Sequence, residues 1–216
     1  DSEFANQSTE QLVERSVKIH QTWGQEAPGI GVALCQERAR ISQHLLNRSL
    51  TESQQIFAIT SYIDAISLID SLNVSSKMKI QDTRKSLLEI DQKYCSHNNR
   101  DIAAKANLAI ALAPLYDFMV TGTSEQAAQF EAECRLRLKK IARNSSALTR
   151  LANLAIATHN KIEIDSPSAA TFSQLADLLL ELPGKQSRRI ALQYREHLLY
   201  DRFDPRTLAL LGSEND

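Results

Sequence analysis

The side chains best suited to chemistry in this chain are its five histidines, His20, His44, His97, His159 and His197. A zinc protease would set two of them in H-E-x-x-H, and a di-iron bundle would put a glutamate three residues before each. Those earlier positions hold Val17, Ile41, Tyr94, Ile156 and Tyr194. Neither metal chemistry has its ligands, and no metal or cofactor is expected. Asp64 and Asp70 stand off the three- and four-residue spacing that chelation along a helix needs. "GIGVAL" at Gly29 lacks the third glycine and the preceding strand of a dinucleotide loop, and reads as a loop entering a helix. No G-x-S-x-G is present. Cys35, Cys95 and Cys134 form no C-x-x-C pair and read as separate buried thiols, a usage that favours a cytoplasmic setting. Nothing positively signals catalysis. A helical-bundle enzyme with a site assembled from distant residues is the third functional reading.

Recognition has better candidates. The run "RLRLKKIAR" carries Arg135, Arg137, Lys139, Lys140 and Arg143, a cluster that could grip the phosphates of a nucleic acid or another anionic ligand. Two local effects explain the same run without a ligand. Glu131 and Glu133 stand four residues before Arg135 and Arg137, the favourable order for helix ion pairs. Positive charge near a helix C-terminus also complements the helix dipole. A second set, Arg150, Asn153 and Asn160, recurs at steps of three and seven and so faces one way.

The elements that must carry these residues are helices. Ser8 with Gln11, Thr51 with Gln54 and Thr123 with Gln126 each spell a capping box. A first helix should follow Ser8, with Leu12, Ser16, Ile19 and Trp23 on one face. A second is expected from about Val32 to Arg48 and a third from about Glu52 to Leu72. The third is apolar almost all round, broken only by a polar stripe of Thr60, Asp64, Ser67 and Ser71, so it must be packed on several sides. A fourth is expected from about Ser76 to Tyr94. In the fifth, about Asp101 to Met119, Pro114 should force a kink or restart. A sixth and seventh follow, and Ser166 with Pro167 announces an eighth before a ninth around Tyr194.

Two of these helices carry the same six residues, "ANLAIA", from Ala106 and from Ala152, 46 residues apart. Each copy is followed by a loop and a helix with Phe130 or Phe172 near its start. The physical reading is two helices in like positions of successive hairpins, with alanines admitting close backbones and Leu108 and Leu154 filling the gaps. "NLAIAL" followed by "SEQAAQFEAE" resembles the tetratricopeptide pattern over roughly residues 100–182. The period is 46 rather than about 34, no tryptophan opens the first helix, and Pro114 falls inside it. The resemblance implies a concave groove lined by the first helix of each hairpin. Asn107, the register mate of Asn153, would then join Arg150, Asn153 and Asn160 in holding an extended peptide, since an asparagine offers a donor and an acceptor to each amide.

Bulk composition agrees with an all-α fold. Glycine (6), proline (5) and aromatics (6%) are sparse, as all-β domains are not. The net charge of −1 disfavours a general polyanion binder. No apolar run approaches the ~20 residues of a membrane span. Sequons at Asn6, Asn47, Asn73 and Asn144 offer glycan acceptors if the chain is exported. The expectation is a single all-α, soluble domain over 1–216, divisible at 97/98, built of stacked antiparallel helical hairpins with about nine helices. An irregular helical bundle is the alternative. The expected function is a non-catalytic scaffold binding a protein or peptide partner, with nucleic-acid or phosphate binding by the basic run as the rival.

Overall fold

Ser8 starts the first helix by reciprocal capping. Its hydroxyl accepts from the Gln11 amide at 3.2 Å, and the Gln11 side chain accepts from the Ser8 amide at 2.8 Å. Amides that a helix start leaves over are thereby satisfied. In the computed structural model, which describes residues 3–159 and Arg189, this helix is α1 (Thr9–Thr22), followed by a 3-10 turn over Trp23–Gln25. Then come α2 (Pro28–Leu46), α3 (Glu52–Ser76), α4 (Arg84–Tyr94), α5 (Arg100–Thr121), α6 (Ser124–Ile141) and α7 (Ser145–His159). Among the described residues the chain is all-α, with seven α-helices and no strand. The expected eighth and ninth helices lie outside the described residues.

Two expected helix starts are corrected. The second helix begins at Pro28 rather than Val32, so "GIGVAL" is helix and not loop. Pro28 takes the first helical positions, where its missing N–H loses no bond. Gly31 is buried there, and a Cβ on it would lie 3.1 Å from Leu72 Cδ1 and 3.2 Å from the Trp23 carbonyl oxygen. The fourth helix begins at Arg84 rather than Ser76, because α3 runs on and Lys77 ends it with a left-handed φ of 55°. Asn73 then shapes the loop, accepting from the Ile80 and Gln81 amides and donating to the Gln81 carbonyl. Its sequon is closed, since that amide is buried and spent. At Pro114 the helix does not restart: α5 continues through it, with the proline buried in the packing.

Helices α3 and α5 occupy the centre. α3 packs on α2 and α5, and α5 also meets α4, α6 and α7. Gly31 faces Leu72 and Arg38 bonds Ser61, so α2 and α3 run antiparallel. Asp64 pairs with Lys105 at 2.8 Å while Asp70 lies near Tyr116, so α3 and α5 run the same way, with α4 as the crossover. Gly122, with a φ of 72°, ends α5 and lets α6 double back on it. The core crosses residue 97: Cys95, Ile102 and Ala106 share one cluster with Val32, Ile63 and Ile69. By length and composition α3 and α5 could each cross a membrane, but 67% of either apolar stretch is buried inside the bundle. Their hydrophobicity serves that packing.

The two ANLAIA copies meet different surroundings. In α5, Ala106, Asn107, Leu108 and Ala109 are all buried. In α7, Asn153 is exposed, and Leu154 packs half-buried on the cluster that contains Leu108. The leucines share a core; the asparagines do not share an environment.

Candidate functional site

Arg150 and Asn153 line a cavity of about 790 Å³, a volume within the range of ligand sites. Four elements form it. The 3-10 turn supplies Trp23, α3 supplies Leu68 and Ser71, α5 supplies Tyr116, and the first turns of α7 supply Ser145, Ser146, Thr149, Arg150, Asn153 and Leu154. Helical spacing explains the α7 wall, because Ser146, Arg150 and Asn153 follow at steps of four and three. Ser71 belongs to the polar stripe that the sequence shows along α3.

Tyr116 is the anomaly of this wall. Its side chain is 4% exposed, and its hydroxyl makes no hydrogen bond. Arg150 and Ser67 lie beside that hydroxyl without aligned bonds to it; burial pushes the phenol up, and the nearby guanidinium opposes the shift. Arg150 has no acidic partner among the described residues.

Positive charge continues along this face. The His20 imidazole is held below its ordinary value first by the protein packed against it, then by Arg38, with Lys105 and Arg150 adding and Asp64 opposing. Arg38 is 4% exposed and donates only from Nη2, to Ser61 Oγ at 3.3 Å; its Nε and Nη1 have no partner. Asp64 is engaged by Lys105. Three cations, Arg38 of α2, Lys105 of α5 and Arg150 of α7, therefore lie close enough to bear on the His20 imidazole of α1.

Asn107 lies elsewhere, away from any groove. It is 1% exposed, donates to the carbonyls of Cys95 and Ala103 at 2.9 and 2.7 Å, and accepts from Arg137 Nη1 at 3.2 Å. Burial removes it from solvent, so its role here is structural. Asn160 lies outside the described residues.

The basic run of α6 divides by helix face. Arg137 is 8% exposed and binds Asp91 at 2.8 Å, Glu133 at 2.6 Å and Cys95 Sγ at 3.2 Å. Burial alone would lower its pKa, but the two carboxylates raise it instead. Lys140 donates to the Cys95 carbonyl at 2.9 Å. Arg135 pairs with Glu131 at 3.2 Å on the surface, as the spacing predicts. Lys139 and Arg143 are exposed. Lys140 and Arg143 line a smaller hollow of about 230 Å³ with His97 and Arg100. The five cations thus present no single face.

No family model, curated protein or solved structure matches this chain.

The thiols offer no nucleophile at neutral pH. Burial pushes Cys35 up to about 11 and Cys95 up to about 12, and holds Cys134 well above its usual value. Among the described residues no group of three His, Cys, Asp or Glu side chains could hold a metal. Two wall residues, Trp23 and Tyr116, carry no site signal in the sequence. Each carries a polar handle on an apolar body, the composition of recognition surfaces, but their approach depends on tertiary packing.

Proposed function

We propose that this chain is a non-catalytic interaction module that binds a polypeptide segment in the trough walled by the Trp23 turn, α3, α5 and α7. The observation that carries the reading is the cavity itself. It joins an aromatic ring, apolar Leu68 and Leu154, and the polar ends of Arg150 and Asn153 on one concave surface. Sites that recognise ligands without reacting with them combine such walls with a few orienting polar groups. In this reading the antiparallel pairs α2 with α3 and α5 with α6 are hairpins of the kind that the tetratricopeptide resemblance implies, while the parallel run of α3 and α5 departs from the alternating directions of such an array. The peptide contacts in this reading are Arg150 and Asn153, with Trp23 as apolar anchor; Asn107 is not among them.

A peptide-library selection on the immobilised full chain tests this. Enriched peptides should bind the Trp23→Ala chain at least tenfold more weakly. Peptides indifferent to Trp23→Ala and to Asn153→Ala would place recognition elsewhere and sink the proposal.

A further inference from the structure

We infer that the cavity between α3, α5 and α7 takes a phosphoryl group carried by the bound segment, gripped by Arg150, the Tyr116 hydroxyl and the free amides at the start of α7. The inference rests on the trough being the binding face and names what that face recognises.

Four observations converge on it. First, α7 opens at the cavity, with Ser145 and Ser146 in its wall. The Asn144 side chain accepts the Ala147 amide and the Ser146 hydroxyl, and the Ser145 and Ser146 amides have no acceptor among the described residues. Free amides at the positive end of a helix dipole attract an anion. Second, Tyr116 stands in the same wall, and its buried hydroxyl, beside Arg150 and Ser67, makes no aligned hydrogen bond among the described residues. Native proteins rarely leave such a group unsatisfied. Third, the Arg150 fork pairs with no carboxylate among the described residues. Fourth, the nearby acids are already engaged: Asp64 by Lys105 at 2.8 Å, and Asp70 by the Thr83 hydroxyl at 2.7 Å.

The donor set selects among anions. A carboxylate lays two oxygens in one plane, which a guanidinium fork alone can satisfy. Here donors arrive from α5, from the α7 start and from an α7 side chain one turn on. Three directions suit the three terminal oxygens of a phosphoryl group. Trp23 and Leu68 provide an apolar wall for the residue that carries it.

Thermal denaturation of the full chain in millimolar inorganic phosphate, with ionic strength balanced by chloride, is the test. Phosphate should raise Tm in the parent chain and in Arg135→Gln, whose arginine lies on α6. The shift should be lost in Arg150→Gln and reduced in Tyr116→Phe, which keeps the ring and removes only the hydroxyl. No shift in the parent, or an equal shift in Arg150→Gln, overturns the inference. Library-selected peptides, synthesised with and without a phosphate, separate this claim from the one beneath it. At least tenfold tighter binding of the phosphorylated form, lost in Arg150→Gln, supports the inference. Equal binding of both forms, still dependent on Trp23, overturns the phosphoryl assignment and leaves the trough standing.

Discussion

Arg137 on α6 donates from Nη1 to Asn107 Oδ1 on α5 at 3.2 Å, with both side chains buried. The sequence places these two residues in rival sites, one in a basic patch and the other in a peptide groove. In the fold each satisfies the other, and Asp91 and Glu133 complete the node. Removing the guanidinium leaves two carboxylates and an amide oxygen uncompensated. Because Asp91 and Glu133 stay partly solvated, Arg137→Met should destabilise by about 1–3 kcal/mol, against about 0.5 kcal/mol or less for Arg135→Ala on the exposed face. Urea unfolding of both variants measures the contrast. Similar small losses would show that the node contributes little.

Asp70 makes stability depend on pH. Burial pushes its carboxyl up to about 6 from 3.8, partly offset by the Thr83 hydroxyl. The folded state thus holds this proton more tightly than the unfolded chain. Its contribution is fully present below pH 3.8 and is lost as pH rises through about 6. Asp70→Asn keeps an acceptor for Thr83 without the buried charge. It should stabilise the protein by on the order of 2 kcal/mol near pH 8 and by little near pH 4. Urea midpoints across that range provide the check; a pH-independent difference would contradict the assignment.

Gly31 seats Trp23. A methyl group there meets the Trp23 carbonyl and Leu72 at 3.1–3.3 Å, whereas one on Gly29 meets nothing within 4 Å. Gly31→Ala should cost about 1–2 kcal/mol through overpacking and shift the Trp23 emission spectrum. Gly29→Ala should be neutral or stabilising by up to about 1 kcal/mol. Equal effects of the two substitutions would show that the contact yields freely.

The buried thiols should be silent. In the native chain at neutral pH, Cys35, Cys95 and Cys134 should resist a thiol reagent, then all react after denaturation. Rapid native labelling of any one would reveal an opening that the packed core does not show.

Local signals in the sequence translate directly into helices. The Ser8 and Thr51 boxes form as spelled, and the nearly all-apolar third helix lies at the centre. The third box does not close the same way: the Thr123 hydroxyl bonds the Gln126 side chain and leaves the helix amides uncapped. "GIGVAL" misleads because propensity weighs glycine locally, while burial of Gly31 against Leu72 decides the outcome. The site is only half legible. Spacing puts Arg150 and Asn153 on one face, but it cannot distinguish an exposed asparagine from a buried one. An identical six-residue word therefore yields one of each, Asn153 at the cavity and Asn107 inside. Trp23 and Tyr116 come from distant elements, and no period in the sequence links them.

Trp23 is the one tryptophan of the chain and stands in the cavity wall, so its fluorescence reports directly on the trough. The decisive measurement is a titration with a library-selected peptide, following Trp23 emission alongside the polarisation of a labelled copy. A saturable emission change that tracks binding, with both signals lost in the Arg150→Gln, Asn153→Ala double variant, is the predicted result. Binding by polarisation that leaves Trp23 emission unchanged and survives the double variant would contradict the account.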